Sequence, residues 1–314
     1  MALETTPIAV TGGTHTAQQF RMMIRDLAQA NQGITEGTHL KVSALATPGG
    51  GVQIADGSAT ISGKVSPVQG SYNVYNIGSD TVSIAATGGT SRSDMVILRV
   101  QDPEYEGSRD PSDCAFFDVV SNVSSSATTV PSGYSAIPLA RIDIPASTGT
   151  ITNAMIKDLR QVTNPRRVRA LYPYNFPGPL VELSGTTELW RNFPNVTMAS
   201  VPIPSWAATM RVSYTVCGVR CVDGNVWANF RFMIGTIEAN QYIAIDDNQG
   251  TGPRRQTVTM VDTIDLTTTA GAALRGTTQP FYSRMTPRSS NAGKVGVDGT
   301  TSFAIDIEFT EGPL

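Results

Sequence analysis

AIPLARIDIP (residues 136–145), ASTGT (146–150) and ITNAMIKDLRQV (151–162) form the stretch from which the fold is read. Leu139, Arg141 and Asp143 alternate with Ala140, Ile142 and Ile144, the period of a strand with one buried face. Five small, turn-forming residues interrupt it, and from Ile151 to Leu159 an apolar residue returns every few positions. Such a stretch closes one β-rich domain and launches another. Ile142, Ile144, Ile156 and Leu159 are its expected core contacts. Arg141, Asp158 and Arg160 are expected to pair locally or across subunits.

Downstream, LYPYNFPGP (171–179) follows the basic patch NPRRVR (164–169) and sets three prolines among three aromatics. Proline stiffens such a passage and denies it ladder hydrogen bonds, so 166–178 reads as a linker. Residues 179–314 then alternate strongly. Met210, Val212, Tyr214 and Val216 form one buried face, and Val226, Ala228, Phe230, Phe232 and Ile234 another. Asp223-Gly224 between them reads as a hairpin turn. Phe303, Ile305, Ile307 and Phe309 give the clearest inward face. Many short strands with turn signals between them predict an antiparallel β-sandwich or jelly roll.

Upstream, residues 1–165 read as a β-rich domain with one amphipathic helix, about 16–30. Thr14 and Thr16 can cap it. Phe20, Met23, Ile24 and Leu27 make the apolar stripe, with Gln18, Gln19, Arg21, Arg25 and Gln29 on the other side. Asn31-Gln32-Gly33 stops it. Strands follow from Leu40, with a turn at Asp56-Gly57 and the most apolar run at 94–101. The fold class is therefore mainly β.

Composition narrows the function. Charged residues are 16% of the 314, against about 25% in typical soluble chains. Thr, Ser, Gly, Asn and Gln take their place, which suits sheets that pack against other protein. The net charge is −3 with no basic block, so no nucleic-acid footprint is expected. No apolar run approaches the ~20 residues of a membrane span, and no leader is recognisable at the N-terminus, so synthesis and folding in a cytoplasm without membrane insertion are expected. Cys217 and Cys221, four apart in a strand, would lie roughly 13 Å from each other, and Cys114 stands alone. Reduced thiols are expected.

No catalytic set emerges. His15 and His39 lack partners at metal spacing, no Gly-x-Ser-x-Gly occurs, and Gly49-Gly50-Gly51 precedes a β pattern, so it is no phosphate cradle. Asp246, Asp247 and Asn248 with Gly250 offer oxygens but not the EF-hand spacing. Asp262 and Asp265 would be a glycosidase pair only with a second supporting signal. No catalytic residue, metal or cofactor is therefore assigned, and the chain reads as a non-enzyme. Trp190, Trp206 and Trp227 offer flat faces to sugar rings, with core or interface packing as the alternative.

One ordered set of motifs points further. The early helix with Phe20 and Ile24, LKVSALATPGGGVQIADG (40–57), RSDMVILRV (92–100), IPLARIDIP (137–145) and IKDLR (156–160) follow one another. The first half thereby resembles the N-terminal region of minor tail and baseplate-type proteins of long-tailed bacteriophages, especially those infecting actinobacteria. The resemblance implies a virion tail-tip location and a β-rich attachment domain. It also implies symmetric oligomers, often homotrimers, docked on other tail-tip proteins. It further implies a variable second half used for assembly or for adsorption to a host-envelope glycan. The expected function is a structural tail-tip component, with a glycan-binding receptor-recognition protein as the alternative and a cell-wall glycosidase as a third reading.

Overall fold

The computed structural model describes residues 6–314, and it is mainly antiparallel β. The chain forms two compact units: residues up to Pro165 together with Gly312–Leu314, and Arg166–Glu311.

In the first unit, one sheet pairs Gly33–Ile34, Gly57–Ser62 and Ser71–Asn76, and a second pairs Val42–Ala44, Gly51–Ile54 and Asp80–Ser83. A third runs in the order Ile156–Asp158, Ala136–Ile144, Arg92–Val100, Ala115–Val123. Ile34, Leu40, Ile54, Ile61, Leu139 and Ile142 are fully buried among them. The opening stretch is a true strand pair, with Ile156 opposite Ile142 and Asp158 opposite Ala140. Its first strand is covered on both faces, not one. Met95, Ile97 and Ala136 form a second small core with Val130, Tyr134 and Leu159. Pro138 is tolerated because the register slips there, Val96 facing Ala140 and Ile97 facing Pro138. Arg141 pairs with Asp143 at 2.8 Å and Arg160 with Asp158 at 2.7 Å, so both pairings are local.

The helix spans Ala17–Leu27, shorter than 16–30, and Thr16 caps it reciprocally with Gln19. Gln29 and Ala30 turn to positive φ and end it before Asn31. It sits the other way round from the expected one. Arg21 is the buried residue, while Phe20 and Leu27 are 45% and 73% exposed. The reason is the environment of the guanidinium. Its Nε donates to Gln69 O at 2.8 Å, Nη2 to Glu104 at 2.8 Å and to Tyr105 Oη at 2.9 Å, and Asp102 lies 3.4 Å from Nη1. Tyr72 and Tyr105 flank it with their rings. Gly70 lets the backbones approach, since a Cβ there would stand 2.7 Å from the Arg21 carbonyl carbon.

Asp223-Gly224 is not a hairpin turn, and Asp56-Gly57 likewise joins strands that do not pair. Gly51–Ile54 and Gly57–Ser62 belong to different sheets, and so do Ala207–Val222 and Val226–Ile234. Each turn is a corner by which the chain changes sheet. Asp223 and Gly224 have φ of 61° and 135°, so the tight positive-φ geometry is present although the flanking strands never pair.

The second unit is a sandwich. One sheet runs in the order Arg167–Asn175, Ser302–Glu311, Ala207–Val222, Lys294–Val297, Val181–Leu183, with Arg254–Asp265 on the other side of Ala207–Val222. The other runs Arg191–Asn192, Thr278–Pro287, Val226–Ile234, Ile237–Glu238, and adds Ala199–Pro202 and Ile243–Asp247. Tyr214, Phe230, Phe232, Phe281, Phe303 and Phe309 fill the space between them. Phe232 and Phe281 stack at 5.3 Å, and Tyr214 lies nearly parallel to Phe303. At Gly218, with φ of 77°, the register slips and the inward phase moves from Val216 to Val219 and Cys221.

The passage 166–178 is not a linker. Arg167–Asn175 pairs along its whole length with Ser302–Thr310, and Tyr172 and Tyr174 pack on the core. Pro173 is accommodated because this is an edge strand, where a missing N–H breaks no second ladder.

Candidate functional site

The outer face of the second sheet gathers the most side chains with recognition chemistry. Val226–Ile234 sends Val226, Ala228, Phe230, Phe232 and Ile234 into the core. The pleat therefore turns Trp227, Arg231 and Met233 to the opposite face. Register places Arg231 directly opposite Arg284 and Asn229 opposite Thr286. On the other flank Trp227 faces Asp246 and Asn229 faces Ala244. Tyr242, just before that strand, is 58% exposed.

Trp190 lies over this face. The Arg231 guanidinium stands 4.1 Å from its ring centroid, within cation–π range, and Arg284 Nη2 donates to its carbonyl at 2.8 Å. Tyr242 approaches the indole at 6.3 Å, tilted by 55°. Glu238 bridges both guanidinia. Burial pushes the Arg231 pKa down, and burial together with the neighbouring Arg231 charge does the same to Arg284. The Nε atoms of both are buried without a hydrogen-bond partner.

Trp227 shares this face at its other end, four residues or ~13 Å along the strand from Arg231. Its ring carries Arg288 at 5.4 Å, and Glu188 neutralises that arginine at 3.3 Å. Trp206 lies elsewhere: it packs against the core under Arg166, which pairs with Glu311 at 2.6 Å. Two of the three tryptophans thus share one face, at its two ends, and the third is packing. Arg231, Arg284, Glu238 and Tyr242 were missed. Alternation put Arg231 on the outer face, but the register that sets Arg284 against it is long-range.

The acidic candidates are engaged in hydrogen bonds that hold backbone segments in place. Asp262 accepts from the N–H groups of Asn240 and Gln241 at 2.6 and 3.1 Å, and Asp265 accepts from Thr267 N and Oγ1 at 2.7 and 2.6 Å. Three apart on one strand, they leave its opposite faces. Asp247 is buried. Burial alone would raise its pKa, but hydrogen bonds from Gln249 N–H, Arg254 and Gln256 lower it. His15 Nε2 accepts from Ala9 N–H at 3.3 Å, and His39 Nδ1 from Ser58 N–H at 3.2 Å. Cys114, Cys217 and Cys221 are free thiols, and burial pushes that of Cys221 up to about 11. Among the described residues no group of three or more His, Cys, Asp or Glu is placed to hold a metal, and no helix is long and apolar enough to cross a membrane. The first unit has a cleft of about 390 Å³ between the outer side of the opening stretch (Ile137, Pro138, Leu159) and Val130, Tyr134 and Lys64.

No family model matches the chain, and no curated protein matches it by sequence. Among solved structures it is similar to that of infectious bursal disease virus, Gx strain, at a TM-score of 0.25 and 10% identity, over 90% of this chain and 77% of that one. The VP2 subviral particle of the same virus gives 0.26 and 13%, over 93% and 82%. BuGH86, solved in complex with neoagarooctaose, gives 0.25 and 11%, over 85% of this chain and 33% of that one. Likenesses this slight carry no property of those proteins over to this chain.

Proposed function

We propose that the chain is a structural component of a virion, a tail-tip or baseplate-type protein of a long-tailed bacteriophage infecting actinobacteria. In this reading the first unit anchors it and the second is presented outward. One observation carries it: the apolar stripe Phe20, Met23 and Leu27 is exposed on the unit whose motifs resemble tail attachment domains. The Arg21 hydrogen bonds and the Thr16–Gln19 cap lock the helix in that orientation, so the stripe cannot turn inward. An apolar face held against water in this way is suited to a subunit contact. Homo-oligomerisation, as a trimer, fits the same face.

The test is incorporation. Tagged chain should appear in purified particles and sediment as an oligomer, and Phe20→Ser/Met23→Ser/Leu27→Ser should fold but be lost from both. A wild-type chain absent from particles, or a triple variant that assembles like wild type, overturns the reading.

A second reading concerns the outer sheet face of the second unit. Trp190, Trp227 and the exposed Tyr242 share it, which favours a contact with host-envelope saccharide. No enzymatic step belongs to the proposal, because Asp262 and Asp265 point apart, the first held by the Asn240-Gln241 backbone and the second by Thr267.

A further inference from the structure

Each of the three tryptophans carries an arginine over its ring, but the charge around them differs. Arg288 at Trp227 has Glu188, and Arg166 at Trp206 has Glu311. At Trp190 two arginines share the single carboxylate of Glu238. The site thus holds two positive charges against one negative. Two like charges opposite each other across a strand pair are destabilising. Here they are also partly desolvated, with side chains 17% and 18% exposed, and burial depresses both pKa values. The fold uses both, Arg231 over the Trp190 ring and Arg284 on the Trp190 carbonyl, but it supplies only Glu238 to balance their two charges. A second anion placed beside the pair would relieve the excess charge, and a carboxylate is such an anion.

The walls define the rest of the ligand. Tyr242 and Trp190 set two tilted aromatic surfaces beside the charge, and neutral sugar rings stack on such faces. Asp262 fixes the Asn240-Gln241 backbone from which Tyr242 projects, and a shallow groove continues past Tyr242 along Thr259, Val261 and Thr263. We infer that Trp190, Tyr242, Arg231 and Arg284 form a binding site for a carboxylate-bearing saccharide, a uronic-acid-type polymer, with the carboxylate at the two arginines and sugar rings against the aromatics. The inference rests on the saccharide-contact reading of this face and adds the acidic class of the ligand.

A matched pair of probes tests it: hexagalacturonate and its fully methyl-esterified, neutral counterpart. Binding to the full chain is followed by calorimetry and tryptophan fluorescence. The acid is expected to bind at least ten-fold more tightly than the ester, with an affinity that falls as salt rises. Arg284→Gln should abolish that preference. Tyr242→Ala, at an exposed position that leaves the fold intact, should weaken the acid and the ester alike. Equal binding of acid and ester, with Arg284→Gln behaving as wild type, overturns the acidic site and leaves the saccharide contact standing. Binding of neither probe overturns both, while the virion reading is judged separately by particle incorporation. Should Arg284→Gln fail to fold, Arg231→Lys, which keeps the charge and loses the planar fork, is expected to lower the preference instead. An unchanged preference in that variant counts against the site.

Discussion

Arg160 Nη2 donates to the main-chain oxygen of Leu314 at 3.2 Å, across 154 positions of chain. The same guanidinium donates through Nη1 to His39 O at 2.6 Å and Gly37 O at 3.2 Å, and Leu314 N–H returns a bond to Gly37 O at 2.8 Å. One fully buried side chain thus joins the opening stretch, the 37–39 turn and the 312–314 segment within the first unit. Arg160→Met should cost about 3 kcal/mol, because a buried guanidinium that ties three segments together is lost and the half-buried His39 and Leu314 oxygens lose its donors. Asp158→Asn should cost under about 1 kcal/mol, since that carboxylate is 43% exposed. Urea unfolding of the two variants checks the contrast, and equal losses would refute it.

The helix makes the opposite prediction to its sequence. Phe20→Ser, Met23→Ser and Leu27→Ser should each leave monomer stability within about 0.5 kcal/mol. Arg21→Leu should lose about 3 kcal/mol, because Asp102, the Gln69 carbonyl and the two tyrosines are left without their cation. Thermal melts under dilute conditions, where any oligomer has dissociated, give the ranking.

The sandwich core is expected to respond through its aromatics. Phe232→Ala removes a ring stacked on Phe281 and in edge contact with Tyr214, at a cost of about 3–5 kcal/mol. Trp206→Ala, on a half-buried ring, should cost less than half as much. Calorimetry that resolves the second unit's transition would show the difference.

Acid sensitivity has an identifiable source at Asp298. A hydrogen bond from Arg255 at 2.6 Å outweighs the opposing effect of burial and, with Thr300 Oγ1 and N–H, holds this carboxyl down at about 2. The unfolded value is about 4. Its stabilisation is therefore complete above pH ~4 and is lost as pH falls toward about 2. Asp298→Asn should melt lower than wild type by a constant margin from pH 5 to 7, and the margin should shrink between about pH 4 and 2. A margin that widens on acidification would reverse the sign argued here.

Alternation along single strands was legible from the chain alone. The inward rows Met210–Val216, Val226–Ile234 and Phe303–Phe309 were all correct, because a period of two leaves one face for a core whatever the partner strand is. The mainly β class and the Thr16 cap came from equally local physics. What stayed hidden was decided at a distance. The Asp-Gly pairs at 56–57 and 223–224 bend the chain as their residues favour, yet sheet membership belongs to the flanking strands' partners, and these lie elsewhere in the chain. Tyr-Pro-Tyr at 172–174 looked like a linker until an edge position made its missing N–H harmless. The helix periodicity was real, but its meaning was inverted by acceptors at Gln69, Asp102 and Glu104 that only folding brings to Arg21. The candidate site shows the same division. Trp190 and Trp227 could be named from their residue type, whereas the opposition of Arg231 and Arg284 over one Glu238 exists only in the register of the folded sheet. Short-range sterics and periodicity act within a few residues and can be read along the chain. The pairing of distant strands, and with it the charge balance of a surface, is set by which faces must be buried together.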